Sequence, residues 1–252
     1  MPFTPTIIGA AAAFFAAALN SIAGGGTFIA FPTLAAVVGL GAKLANATCT
    51  VGLWPGFAAG LAAVRRDLAA LPRGRLIRLI VASASGGALG GVLLLLTPAG
   101  TFREVVPVLL GTGTLLFALA PRVTRGLNRP DSHDFPAPAG VAALAGISIY
   151  NGYFGAGSGV MVMAALAATG MHDPRRANLF KMVNQFASNA AAVIVLSVWG
   201  VAWPVAAGMW VGALAGGFFG MRIANRVPRG ALRTIVIAAG TVLTIAYGWS
   251  AY

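Results

Sequence analysis

A glycine-rich break interrupts an apolar stretch twice in this chain, and the two copies are in register. The first reads Leu19-Asn20-Ser21-Ile22-Ala23-Gly24-Gly25-Gly26-Thr27-Phe28. The second reads Tyr150-Asn151-Gly152-Tyr153-Phe154-Gly155-Ala156-Gly157-Ser158-Gly159. Asn20 matches Asn151 and Thr27 matches Ser158 at one constant offset. Each break has an Asn, a glycine cluster, then a hydroxyl residue opening a new apolar run. Irregular backbone inside an apolar segment is tolerated in a membrane only where protein or a water-filled cavity satisfies its N–H and C=O groups. Two matching breaks must therefore be drawn inside the fold, and interrupted segments at corresponding places in two halves are the sequence sign of a transporter's binding site.

Composition places those segments in lipid. Hydrophobic residues make up 58% of the chain and charged residues 9%, with a mean hydropathy of +0.86. A water-soluble domain of this length carries far more charge. The net charge of +12 is no nucleic-acid signature, because the Lys and Arg residues fall in short connections between apolar runs, where the positive-inside rule puts them. No nucleic-acid partner is expected; the bilayer is. The sole cysteine, Cys49, has no disulfide partner in the chain and belongs to no metal-ligand spacing. No cofactor or metal is expected. Residues 1–6 lack Lys and Arg, which fits an N-terminus facing away from the cytoplasm and argues against a secretory signal peptide.

The apolar runs repeat in order. Residues 7–19 and 27–40 flank the first break, and 44–64, 76–96 and 102–120 follow. Residues 139–154 and 158–170 flank the second, and 177–198, 202–221 and 231–249 follow. The organisation is thus a first half over 1–120, a polar cytoplasmic linker over 121–138 and a second half over 139–252. The small-residue run Gly87-Ala88-Leu89-Gly90-Gly91 matches Gly212-Ala213-Leu214-Ala215-Gly216-Gly217. Both read as close-packing helix faces.

Crossing the hydrocarbon takes roughly 20 helical residues, and the arms of each broken pair fall short of that. Each pair is either one kinked span or a hairpin returning to its own side. Charge favours the hairpin. Residues 65–78 are strongly basic and belong in the cytoplasm. Only with hairpins do Arg175, Arg176, Lys181, Arg222, Arg226, Arg229 and Arg233 reach that same side. The expected fold is an all-α polytopic membrane protein of two inverted-topology repeats, each a broken or re-entrant helix pair plus three transmembrane helices. Both termini then face outward.

The site is expected at the breaks. Thr27 and Ser158 read as N-caps, and helix starts present free N–H groups and partial positive charge. Gly24, Gly25, Gly26, Thr27, Gly155, Gly157 and Ser158 would supply donors, and Asn20 and Asn151 amides. The plain alternative is that these are turn or packing glycines. A polar stripe at helical spacing follows the second break: Lys181, Asn184, Gln185, Ser188 and Asn189. Buried amides in a membrane helix need partners, so this face looks inward. Lys181 would either complement an anion or snorkel to headgroups. The first half's equivalent stretch, Asn46, Thr48, Cys49 and Thr50, is milder; Asn46 and Asn178 correspond, and are either members of these polar faces or simply helix-start caps.

Every acidic residue falls in a connection or at a segment end. Cation and proton pathways need a carboxylate at depth, so an anion is the expected substrate. Enzymatic readings are weak. Residues 155–159 do not match the Gly-x-Ser-x-Gly elbow, and a dinucleotide fingerprint lacks its strand context.

With Gly24-Gly25-Gly26-Thr27-Phe28-Ile29-Ala30-Phe31-Pro32-Thr33-Leu34, then Gly39 and a loop to Asn46, repeated as Gly155-Ala156-Gly157-Ser158-Gly159 with Met163 where Pro32 stands, the chain resembles the sulfite exporter TauE/SafE family of bacterial membrane permeases. The resemblance spans essentially the whole chain. It implies a multi-pass protein of the bacterial inner membrane that exports a small sulfur-containing anion, sulfite or an organosulfonate, by alternating access. An anion channel of the same fold and a non-transporting membrane scaffold are the alternatives. Homo-oligomerisation is left open.

Overall fold

The computed structural model describes residues 4–123, 135–198, 200–224, 226 and 229–251, and these are helical throughout apart from short connections. The helices are α1 (Thr4–Ile22), α2 (Thr27–Pro32, continued by a π turn Thr33–Val37), α3 (Ala42–Ala63), α4 (Arg65–Ala69), α5 (Arg73–Leu96), α6 (Ala99–Val123), α7 (Pro138–Tyr153), α8 (Ser158–Ala168), α9 (Pro174–Ser197), α10 (Trp203–Ile223) and α11 (Arg229–Ala251). Five of them, α1, α5, α6, α9 and α10, are long and apolar enough to cross a membrane. Most of the linker, residues 124–134, lies outside the described residues.

Both breaks begin with the same device. Gly24 (φ 83°) and Gly155 (φ 82°) adopt a left-handed conformation. Their N–H groups turn back to the carbonyls of Leu19 and Tyr150, a common way for a helix to end on glycine. Helix α1 is longer than its apolar run suggests. It takes in Asn20, Ser21 and Ile22 and ends only at the first positive-φ glycine. Its 19 residues make it span-length, unlike the 16 residues of α7.

The second arms double back. Thr169, just past the end of α8, lies against Gly140 near the start of α7, where an added Cβ would sit 2.8 Å from Thr169 Oγ1. The π turn ending α2 likewise packs alongside α1. Each broken pair is therefore a hairpin rather than a kinked helix. Pro32 lacks the N–H that would continue the α ladder, and the chain widens there into the π turn.

Packing exchanges helices between the sequence halves. Helix α10 lies on α1 and α3, and α5 lies on α7 and α9. Small residues make this possible. A Cβ on Gly212 or Gly216 would strike the carbonyls of Ala10 or Phe14, and one on Gly87 or Gly90 those of Ser188 or Ile149. The matched small-residue runs are thus backbone-to-backbone contact faces. The pair α6–α11 packs beside them, α6 touching α8 and α11 touching α2.

Arginines gather at one end, while Lys43 and Arg103 line a cleft at the other. Arg75 and Arg78 line a cleft with the segment leading into α7, and Arg175 and Arg176 share another with Asp67 and Asp173. Asp173 caps α9 through a 2.9 Å bond from the Arg175 N–H, with Pro174 in the first turn.

Candidate functional site: a cavity where the breaks meet

The two glycine breaks touch. A Cβ on Gly24 would come within 2.5 Å of Gly159 Cα, and the reverse holds equally. Gly25 is pressed on Phe117 and Gly157 on Gly113. Gly26 is pressed on the Ala16 carbonyl. Phe31 and Phe154 pack edge to face at 5.4 Å, and Phe28 does so with Phe117 at 5.7 Å. The breaks are thereby wrapped in aromatic side chains of both halves.

Beside this crossing lies a cavity lined by Asn20, Thr27, Asn151, Gly155, Gln185 and Asn189, together with Cys49, Thr50, Leu53, Phe57 and Phe154. Its volume is about 20 Å³, room for a single water and no more. Among the described residues no charged side chain lines it. The remaining residues singled out from the sequence stand behind the wall. Gly24, Gly25, Gly26 and Gly157 serve the close approach of backbones, and Asn184 ties α9 to α5 and α7.

Thr27 and Ser158 are not N-caps. They are the first helical residues, and the caps are Gly26 and Gly157, with no side-chain capping bond. The reason lies in competing partners. Asn20 Oδ1 accepts the Gly26 N–H at 2.6 Å, which removes that group from any ligand. Ser158 Oγ is committed to Asn151 Oδ1 at 2.7 Å. A directed chain runs on from there. Gln185 Nε2 donates to Ser158 Oγ at 3.1 Å, Asn151 Nδ2 to Ser188 Oγ at 2.7 Å, and Ser188 Oγ to the Asn184 carbonyl at 2.8 Å.

Lys181 is 0% exposed, so it does not snorkel. Its Nζ donates to the carbonyls of Asn20 at 2.8 Å and Ser21 at 3.4 Å. Those groups lie at the C-terminal end of α1, where a cation meets the negative end of the helix dipole. Its Nζ therefore stands behind the cavity wall, on the backbone of Asn20. The α7 end receives a neutral counterpart, the Asn46 amide, which donates to the Tyr153 carbonyl at 2.8 Å. Asn46 sits inside α3 and is no cap. Asn178 reaches Met221 Sδ at 3.4 Å. Asn184 Nδ2 is shared by Ser83, Ser148 and the Leu144 carbonyl.

The α3 wall was only half visible in the sequence. Cys49, Thr50, Leu53 and Phe57, which line it, follow with Asn46 the three-and-four spacing of one helix face. That stripe was the available signal, diluted because three of its members are apolar or weakly polar.

A bundle of apolar helices, with interrupted hairpins meeting on a polar internal cavity, defines a multi-pass membrane transporter. Comparison with known proteins makes this particular: a family model described as sulfite exporter TauE/SafE matches residues 9–247, and the chain belongs to that family. It is 27% identical over 238 residues to a protein named "Probable membrane transporter protein ORF9" from Sinorhizobium sp, covering 93% of this chain and 88% of that one. It is 25% identical over 237 residues to "Probable membrane transporter protein YfcA" of Escherichia coli strain K12, covering 92% and 85%. A "Probable membrane transporter protein" of Haemophilus influenzae is 26% identical over 234 residues, covering 92% and 89%. No solved structure matches the chain.

Proposed function

We propose that this chain is a secondary transporter of the bacterial inner membrane, carrying a small anion, sulfite or an organosulfonate, in the direction of export. One observation carries the reading: two hairpin breaks from different halves converge on a single amide- and hydroxyl-lined cavity. Its neutral wall, with the Lys181 charge just behind Asn20, suits a small negative ion that must be released again. A carboxylate, which would favour a cation, is missing from the cavity lining. The family's description supports sulfur oxyanions as the substrate class.

The narrow cavity supports a carrier over an open pore, since a ligand larger than water needs the walls to part. The moving units are not the two sequence halves. Helix exchange interlocks those, and leaves α1, α3 and α10 as one bundle and α5, α7 and α9 as the other. Alternating access is then a shift of one mixed bundle against the other, hinged at the touching glycines.

The test is ligand-induced thermal stabilisation of the purified protein across sulfite, selenite, sulfate, methanesulfonate and acetate. A ligand of the folded state raises apparent stability by mass action. At least one sulfur oxyanion is expected to stabilise more than acetate, and to be moved into or out of proteoliposomes. Equal indifference to every anion refutes the proposal.

A further inference from the structure

Gln185 is 2% exposed and lines the cavity. Its Nε2 is spent on Ser158 Oγ, while its Oε1 is buried with no hydrogen-bond partner among the described residues. The orientation of this amide is fixed from the far end of its chain. The Asn184 carbonyl only accepts, so Ser188 donates to it, Asn151 Nδ2 donates to Ser188, and Ser158 donates to Asn151 Oδ1. Ser158 Oγ is then left to accept from Gln185 Nε2. A buried acceptor oxygen without a donor costs free energy until one reaches it, and once the cavity widens for a ligand it repels an oxyanion that has only lone pairs to offer. Elsewhere in the cavity Asn20 Oδ1 is taken by the Gly26 N–H, which leaves the Asn20 amide nitrogen as donor.

We propose that the cavity selects an oxyanion that still carries one O–H, with Asn20 donating to its charged oxygens and Gln185 Oε1 accepting its proton-bearing hydroxyl. This rests on the transport reading above and sharpens it. Hydrogensulfite fits; a sulfonate, fully deprotonated in water, does not. The proton then travels on the substrate, bonded to it throughout, and no protein group has to take it up.

The surrounding titratable groups fit this. The helices that wall the cavity, α1, α2, α3, α7 and α9, together with α8 beside it, carry only Lys43, Cys49, Tyr150, Tyr153, Arg175, Arg176 and Lys181. None is a carboxylate or imidazole, the groups that ordinarily titrate from mildly acidic to neutral pH. His172 and Asp173 lie beyond, in the α8–α9 turn at the arginine-rich end. A change of charge on buried Lys181 would act on all four anions alike, so a pH dependence shown by sulfite and selenite but not by sulfate and methanesulfonate reports the ligand.

The experiment measures thermal stabilisation of the full chain by sulfite and selenite, which lose their last proton near neutrality, against sulfate and methanesulfonate, which carry none across the range. At fixed total ligand, apparent affinity for sulfite and selenite is expected to fall with the monoanion fraction, about tenfold per pH unit on the alkaline side. Sulfate and methanesulfonate are expected to bind at least about tenfold more weakly, the equivalent of one unmade buried hydrogen bond. Gln185→Met, which keeps the length and removes the acceptor, is expected to erase that preference. His172→Asn is expected to leave the profile unchanged. Equal, pH-independent binding of all four anions overturns the protonated-ligand inference and leaves the anion site standing. Full preference retained in Gln185→Met overturns the role of Gln185. Indifference to every anion at every pH removes the site and this inference with it. If Gln185→Met does not fold, Gln185→Leu, which also removes the acceptor, takes its place and is read the same way.

Discussion

The crossing of the two breaks separates conformational strain from steric overlap, because three glycines carry these in different combinations. Gly39 has a positive φ of 80° with nothing within 4 Å of an added Cβ. Gly159 has no positive φ, but its added Cβ falls 2.5 Å from Gly24 Cα. Gly24 has both, φ 83° and a 2.5 Å clash with Gly159 Cα. An L residue in the left-handed region costs about 1–2 kcal/mol. Overpacking adds about 1–3 kcal/mol. Alanine returns about 0.4–1 kcal/mol by restricting the unfolded chain, and about 1 kcal/mol of helix propensity at Gly159.

The net expectations follow from those terms. Gly39→Ala should destabilise by about 0–1.5 kcal/mol, Gly159→Ala by about 0–2 kcal/mol, and Gly24→Ala by about 1–4 kcal/mol. Clashing atoms here are backbone, so no side chain can swing aside. The assay is reversible denaturant unfolding of the three variants in one detergent, followed by tryptophan fluorescence. Gly24→Ala no worse than Gly39→Ala would refute the contact between the breaks, and with it the placement of both hairpin tips at one site.

Lys181→Met should destabilise by about 1.5–3 kcal/mol, the range for hydrogen bonds to a charged group, and weaken anion-induced stabilisation; Lys181→Arg should not restore it, since a planar fork does not replace a compact ammonium. Asn20→Asp keeps the acceptor for the Gly26 N–H, so it should unfold close to wild type while losing stabilisation by anions; Asn20→Ala should lose about 0.5–2 kcal/mol, as for a lost helix cap, measured in the same unfolding assay. Cys49, the sole cysteine, lines the cavity, so a bound anion should slow its modification by a small thiol reagent; unchanged rates under saturating ligand would place the ligand elsewhere.

The breaks and their meeting were legible because each depends on a backbone event that glycine marks, whereas the turning back of the second arms was read from the placement of the basic residues. Gly24 and Gly155 occupy equivalent places and close their helices alike. The packing role of the runs around Gly87 and Gly212 was equally open to reading, since small residues repeating at helical spacing have few other uses in a membrane. The side-chain partners were not legible. Thr27 and Ser158 match in sequence, yet one lines the cavity and the other is buried in a chain with Asn151 and Gln185. Which hydrogen bond a hydroxyl makes depends on what α9 brings alongside, a matter of tertiary distance that local spacing does not encode. Lys181 shows the same limit: its place on the polar face was evident, its carbonyl partners on α1 were not.

That divergence bears on how the proposed carrier would move. The first break is held by backbone: Asn20 Oδ1 on the Gly26 N–H, and Lys181 Nζ on the carbonyls that end α1. The second is held by side chains, through Ser158, Asn151, Gln185 and Ser188. Bonds to a lysine on a flexible stem tolerate sliding, because the ammonium can follow its carbonyls. A relay of short amides and hydroxyls tolerates little, because each member fixes the orientation of the next. The α7–α8 hairpin should therefore stay with α9 as the rigid wall, and the α1–α2 hairpin should be the part that yields when the cavity opens. In the exchanged packing α1 moves with α10, held to it by the backbone contacts of Gly212 and Gly216, so the opening would fall where α1 and α3 meet α9. A distance between spin labels on α1 and α9 that stays fixed across ligand-free and ligand-bound states, while one between α7 and α9 changes, would reverse this assignment.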